Sequence, residues 1–357
     1  MTKINKTNAK TAYTAQTCVQ LVVGLCLLSA AASAQAISCE TRLNRIVLPA
    51  YNAAYPNVAK PAIKATLTNN TAASSVLTIT NKTNKLGTLI INKASLTVTD
   101  LTSGTANPES LDIYPAYLRD YMALCLTPSV DSAQKEEALL INELMGRQSV
   151  RKVASAPYQR YDFGPLLKDV TKDKAIGIIG DDYKRLIVNI EYIQQMAVGS
   201  QRYQLHGHSK VGRNRNDFAG SLTLTDIYLA TQPSLGVNES YKGIVDKQGI
   251  AVFDYVLSED RQQPHSGDFV GKLYVKWYTS KQDDELHFDN IDSHSDGYFN
   301  LVFNGEWRSY RAGSLPKPAI WSLYNMADIL APDLNIGAGE FYPNTSYHNK
   351  GWADYRY

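Results

Sequence analysis

The residues whose types and spacing best suit chemistry lie together at Asp289-Asn290-Ile291-Asp292-Ser293-His294-Ser295-Asp296-Gly297. Asp289, Asp292 and Asp296 supply carboxylates and His294 an imidazole. Oxygen donors at alternate positions closed by a glycine suit a calcium loop, since Ca²⁺ gathers about six to eight oxygens around a tight turn. The helix–loop–helix calcium pattern fails, because His294 takes its third position and Phe303 stands where the bidentate glutamate belongs. The plainer reading is a polar turn whose Asp and Ser side chains bond their own backbone. His206 and His208 stand two apart in an expected strand, so both point to one face, together with Gln204 and Lys210. That pair could hold Zn²⁺ if His294 or His287 came close; otherwise these are surface histidines, on an outer face or a wet lumen. No cofactor beyond Ca²⁺ or Zn²⁺ is suggested.

Other chemistries find less support. No G-x-S-x-G elbow is present, and His265-Ser266-Gly267-Asp268 sets three triad residue types side by side, whereas triads assemble in space. No phosphate loop or dinucleotide fingerprint occurs. The tail Asp333-Leu334-Asn335-Ile336-Gly337-Ala338-Gly339-Glu340-Phe341 reads as a tight loop that resembles sugar- or calcium-binding turns. Trp352, Tyr355 and Tyr357 echo the aromatic end of an outer-membrane barrel, but the strands carry charge on both faces. The 23 tyrosines and four tryptophans suit recognition surfaces, although strand propensity alone accounts for them.

The compartment is read from the first residues. Lys3, Lys6 and Lys10 precede an apolar run from Val19 to Leu28, and small residues from Ser29 to Ala36 follow. That order is a secretory signal peptide over 1–36, cleaved after Ala34 or Ala36, and its core is too short to span a bilayer. The chain is therefore expected in the periplasm or outside the cell. Cys39 and Cys125 remain after cleavage and would form one disulfide. Alternatively, lipid on Cys39 would tether the protein to the outer membrane, though the usual leucine three positions earlier is missing. The 36 Lys+Arg against 34 Asp+Glu become 33 against 34 once three lysines leave, a net of −1. A near-neutral chain argues against nucleic acid and against an anionic membrane surface.

The elements that must position these residues divide at about 155. Residues 37–155 read as an α+β part. Its Ser/Thr/Asn-rich stretch at 64–105 holds β-like runs at Val76–Ile79, Leu89–Ile91 and Leu96–Val98. Asn107-Pro108-Glu109 suggests a helix start that Pro115 restarts, with Leu118, Tyr121 and Cys125 on one face. A second helix from Asp131, capped with Gln134, carries Ala138, Ile141, Leu144 and Met145 and stops at Gly146. Residues 156–357 read as an antiparallel β domain from period-two runs. These are Leu186-Val188-Ile190-Tyr192, Tyr203-Leu205-Gly207-Val211, Ile250-Val252-Val256 and Phe269-Leu273-Val275-Trp277.

Phe218-x-Gly220-x-Leu222, Phe269-x-Gly271-x-Leu273 and Phe303-x-Gly305-x-Trp307 repeat one device. A glycine between two bulky groups on one strand face permits sharp bending, which helps a sheet close. The expected class is mainly β with a smaller α+β N-terminal part. The C-terminal sheet should be an antiparallel barrel or strongly curved sheet, lipocalin-like in broad architecture.

Ile178-Ile179-Gly180 with Tyr183 and Arg185, Gly207-x-Ser209-Lys210-Val211 leading to Asp217-Phe218-x-Gly220, and Asp333-Leu334 through Phe341 with Pro343-Asn344 resemble a group of exported bacterial proteins of unknown function. The resemblance covers about 176–357 and implies an exported β domain, with no activity attached. The expected function is an exported, non-enzymatic binding module whose partner is a small ligand, a cell-wall component or a protein. A metal-dependent envelope hydrolase using Asp289, Asp292, His294 and Asp296, with His206 and His208, is the alternative. A third is a structural envelope protein assembled through the 64–105 segment.

Overall fold

The computed structural model describes residues 39–56, 63–126, 132–146, 148–172, 174–283, 285–293, 298–323, 334–335 and 341–355. The leader expected at 1–36 and the cap expected at Asp131 lie outside them. From Cys39 onward the protein is mainly β, as expected.

The chain begins with α1 (Cys39–Ala54), which the sequence reading missed. Leu43, Val47 and Tyr51 recur every fourth residue and are buried, so one stripe of the helix lies on a sheet. That sheet is a five-stranded antiparallel meander, β1 (Ile63–Asn70), β2 (Ser74–Asn81), β3 (Asn84–Asn92), β4 (Thr97–Asp100) and β5 (Glu109–Leu111). The Ser/Thr/Asn-rich stretch forms it because alternate residues (Leu77, Ile79, Leu89, Ile91, Val98) face α1 while the threonines face outward. The Asn44 side-chain amide accepts from Ala65 N–H at 2.7 Å and donates to Ala65 C=O at 3.0 Å. It thereby takes the place of a missing neighbour strand on the open edge of β1.

The helix expected from Asn107 does not form there. Glu109–Leu111 pair instead with Val98–Asp100, and α2 (Pro115–Tyr121) starts with Pro115 in its first turn, where a missing N–H costs nothing. A short π-helical turn, Met122–Leu126, follows and carries Cys125 to Cys39. The disulfide spans a sequence separation of 86 and so encloses the whole meander. Chain-entropy reasoning assigns it roughly 4 kcal/mol.

The rest of the chain builds a ring. Strands β7 (Ala175–Ile179), β8 (Lys184–Gln195), β9 (Arg202–Val211), β10 (Asn214–Ala230), β11 (Val245–Glu259), β12 (Gly267–Ser280), β14 (Leu301–Ser309) and β15 (Lys317–Ser322) each pair antiparallel with the next. β15 returns to pair with β7. The result is a closed eight-stranded up-and-down ring, but not an even barrel: β11 and β12 pair along nearly their whole length, whereas the seam runs only over Ala319–Ser322 and Ile176–Ile179. Two short strands add to it, β6 (Val150–Val153) on β10 and β13 (Leu286–Phe288) on β12. α3 (Ser132–Leu144) lays Leu140, Ile141 and Leu144 on the outer wall against Ile250, Val252 and Tyr274. α3 and β6, which precede residue 155, thus pack on the ring and pair with it.

That outer cover corrects one strand reading. Ile250, Val252 and Val256 face out, the first two buried beneath α3 and Val256 exposed, while Ala251, Phe253, Tyr255, Leu257 and Glu259 face in. Over Gln248–Phe253 both faces of β11 are buried, so period two alone could not choose between them. Tyr192 also leaves the face of Leu186, Val188 and Ile190, because a register shift between Ile190 and Tyr192 turns it to solvent.

The lumen is filled rather than hollow. Trp321 stacks on Phe303 at 4.8 Å and meets Phe269 edge-on at 5.4 Å, and Tyr255 contacts both Phe303 and Trp321. The repeated glycines make room for these rings. Gly271 and Gly305 are register partners across β12 and β14, and Tyr255 pairs with Gly271. A Cβ on Gly305 would stand 2.6 Å from the Tyr255 hydroxyl and 2.8 Å from Gly271 Cα. One end of the ring is plugged by α4 (Gly164–Lys168) and its flanks: Tyr158 packs on Trp277, Phe163 on Phe253, and Phe163 N–H donates to the Tyr203 hydroxyl at 2.9 Å.

Gly305→Ala would set a Cβ hard against the Val270 carbonyl oxygen and 2.6 Å from the Tyr255 hydroxyl, so the β12 backbone and Tyr255 must both shift, at a cost of about 1–3 kcal/mol as in overpacked cores. Urea denaturation of variant and wild type measures the difference, and an unchanged midpoint would mean the lumen is looser than described.

Candidate functional site

Up-and-down connectivity sends alternate hairpins to opposite ends. The turns after β7, β9, β11 and β14 therefore gather at the end away from the α4 plug. They wall a cavity of about 830 Å³. Asp181, Asp182 and Lys184 come from the first hairpin; Ser209, Asn214 and Asn216 from the second; Glu259 and His265 from the third; Trp307, Arg311 and Lys317 from the fourth. Phe269 joins the apolar lining at the edge of the aromatic core.

Glu259 is the chemical centre of this mouth. It ends the inward row Tyr255-Leu257-Glu259, so strand alternation delivers a carboxylate to a position otherwise reserved for apolar groups. Only 4% of it is exposed. Its Oε1 accepts from the Ser209 hydroxyl; its Oε2 accepts from Trp307 Nε1–H at 3.0 Å and Gly267 N–H at 2.9 Å. Burial pushes the Glu259 pKa above the ordinary glutamate value, although hydrogen bonds from Ser209, Trp307, Gly267 and Asn216 pull it down.

Asn216 holds the β11–β12 turn. Its Nδ2 donates to the carbonyls of Pro264 and His265 at 3.3 and 3.2 Å, with His265 in the left-handed region at φ 57°. Its Oδ1 is buried and accepts no hydrogen bond, which leaves one acceptor unpartnered at the cavity. Around the rim the acids are engaged: Asp181 pairs with Arg45 of α1 at 3.4 Å, and Asp182 with Lys350 at 2.8 Å and Lys184 at 3.7 Å.

The residues that the sequence put forward fall elsewhere. Asp289 sits on the loop between β13 and β14, at the plugged end, and is fully buried. Its carboxylate accepts from Gln248 Nε2 at 2.7 Å and Ile291 N–H at 3.2 Å, and faces Lys276 Nζ at 3.6 Å. Asn300 Nδ2 and the Tyr298 hydroxyl donate to its carbonyl, and Lys276 lies 4.7 Å over the Tyr298 ring. Asp292 accepts from the Ser234 hydroxyl at 2.9 Å. Asp289 thus ties the loop to β11 and β12. His294 and Asp296 lie outside the described residues.

His206 and His208 stand on the outer face of β9, with His208 bonded to Glu191 at 2.8 Å and His206 against the Tyr192 ring. His287 stacks on Tyr278 and bonds Asp283. Among the described residues no three His, Cys, Asp or Glu side chains converge as a metal site. Ser266 and Asp268, flagged as sequence neighbours of His265, are also divided: Tyr310 donates to Asp268 at 2.6 Å, and only His265 lines the cavity. The tail residues 336–340 and Tyr357 are outside the described residues, whereas Trp352 packs on Phe341 and donates to the Tyr183 carbonyl at 2.8 Å.

Sequence reasoning missed Glu259, Asn216 and Ser209. The available signal was a glutamate continuing the alternation Phe253-Tyr255-Leu257, which becomes visible once the correct face of β11 is chosen.

Two outcomes follow. Asp289→Ala leaves Lys276 buried without its counter-charge and should cost about 3–5 kcal/mol, against about 1 kcal/mol for Asp292→Ala; chemical denaturation compares them. Because folding raises the Glu259 pKa, the native state holds more proton than the unfolded chain in the pH range between the ordinary glutamate pKa and the raised one. Its contribution to stability is complete below the ordinary glutamate pKa and is lost as pH rises through the raised value. Glu259→Gln should remove that slope from a pH series of thermal midpoints, and an identical slope in variant and wild type would show that Glu259 does not cause it. No protein family, curated protein or solved structure matches this chain.

Proposed function

We propose that this protein is an exported binding module of the cell envelope or cell exterior, and that it seats a ligand in the open mouth of its barrel without transforming it. The observation that carries this reading is the cavity of about 830 Å³ walled by all four hairpins of one end. Its size is that of small-molecule sites, and it combines an apolar lining with a few convergent polar groups, one of them a buried carboxyl with a raised pKa. The layout supports the reading: the α4 plug and the aromatic lumen close one end, and the turns of the other end present polar side chains at its lip. Export is supported by the leader pattern and by the Cys39–Cys125 disulfide, which suits an oxidising compartment.

Crystals of the mature protein soaked with a set of sugars, amino acids and short carboxylic acids test the site. Density for these compounds is expected between Trp307 and Asn216. Occupancy only at the plugged end near Asp292, or none in the mouth at any concentration reached, would overturn the reading.

A further inference from the structure

We propose that the mouth cavity recognises a sugar acid, a hydroxylated ring that bears a carboxylate. This rests on the mouth being the ligand seat and adds the chemical class of the occupant. The argument is one of unspent groups. Each acid on the wall already has partners: Asp181 has Arg45, Asp182 has Lys350 and Lys184, and Glu259 has Ser209, Trp307 and Gly267. The cations of the β14–β15 turn do not. Arg311 makes no ion pair among the described residues, and Lys317 has only the Trp307 ring, 5.2 Å from its Nζ. Both line the cavity. Deeper in, Asn216 Oδ1 is buried and unpartnered, a deficit that a ligand O–H would fill and that costs about 1–3 kcal/mol if left open.

The complement is therefore an anion at the lip and a hydroxyl donor further in. Ser309, Ser314 and Asn214 add donors and acceptors along the wall, which a polyol uses and a fatty acid does not. Leu315, which is exposed, and the half-buried Pro316 give apolar surface at the lip for the C–H face of a sugar ring. A zwitterionic amino acid fits less well. Its ammonium would meet a carboxylate whose oxygens already accept three hydrogen bonds.

Isothermal titration of the mature protein with D-glucuronate, its methyl ester, D-glucose and hexanoate tests the class. Glucuronate is expected to bind at least about tenfold more tightly than the ester or glucose, as one charge-assisted contact supplies. The preference should shrink as salt screens it. Hexanoate should bind far more weakly than glucuronate. The double variant Arg311→Ala/Lys317→Ala changes only exposed side chains and should bring glucuronate down to the level of glucose.

Equal affinity for glucuronate and glucose would overturn the anion while leaving the mouth as the seat. Binding of hexanoate as tight as glucuronate would overturn the sugar. Glucuronate affinity unchanged in the double variant, with density outside the mouth, would overturn both readings. No binding of any of the four compounds would overturn the sugar-acid class, and the fragment soaks would then decide the mouth independently.

Discussion

Everything above the lumen depends on closing the ring at its narrowest seam. β15 meets β7 along only a few residues, with Trp321 opposite Gly177. A Cβ on Gly177 would fall 2.5 Å from both Cα and Cβ of Trp321, so the backbones approach as they do only because that position is glycine. The seam is short in hydrogen bonds but heavy in apolar area. Trp321 is fully buried and touches Phe303 on the neighbouring β14, Phe269 on β12 and, across the lumen, Tyr255 on β11. A side chain of that size buried in a core contributes about 3–5 kcal/mol, judged by what truncation to alanine costs. Closure is thus held across the lumen by aromatic packing as much as by the ladder at the seam.

The filled lumen decides where a ligand can go. An eight-stranded ring is just wide enough for its own side chains or one small molecule, and here aromatic residues occupy the middle and the α4 segment closes one end. Space for a ligand is left at the other end. There the inward row of β11 finishes in Glu259, and the surrounding hydroxyl, indole and amide groups keep that carboxyl in place. The N-terminal meander reaches the same region through α1. Arg45 lies 4.3 Å over the Tyr183 ring and pairs with Asp181 of the β7–β8 turn. The disulfide that ties α1 to the turn after α2 therefore also steadies the element that braces the mouth.

The Asp289 cluster shows how a sequence that reads as a metal loop can be structural. A metal ligand must keep lone pairs free and meet other ligands at about 2.3–2.6 Å for calcium. Asp289 instead spends its oxygens on Gln248, Ile291 and Lys276 inside the protein, where a buried ion pair persists only with such additional hydrogen bonds. Asp289 is of the residue type that a calcium turn uses, and its burial and neighbours engage its oxygens within the protein.

Much of the fold was legible from local pattern. Alternation in Leu186-Val188-Ile190 and Tyr203-Leu205 marked inward rows, the repeated F-x-G-x-(L or W) marked a sheet able to close, and Cys39 and Cys125, the two cysteines beyond the expected leader, marked a disulfide. These signals lie within a few residues of each other along the chain, because side-chain period and glycine bending are local properties. Other features were illegible because they are decided by what packs from a distance. The inward face of β11 was ambiguous until α3 covered Ile250 and Val252. Asp289 could not be told from a ligand until Lys276 and Gln248 arrived from other strands. Glu259, Asn216 and Ser209 became a site only when three separate strands brought them to one mouth. The sequence by itself determined strand periodicity and the residues able to bridge or bend. The tertiary structure decided which polar groups end up partnered and which are left over, since desolvation and pairing depend on neighbours far away in the chain.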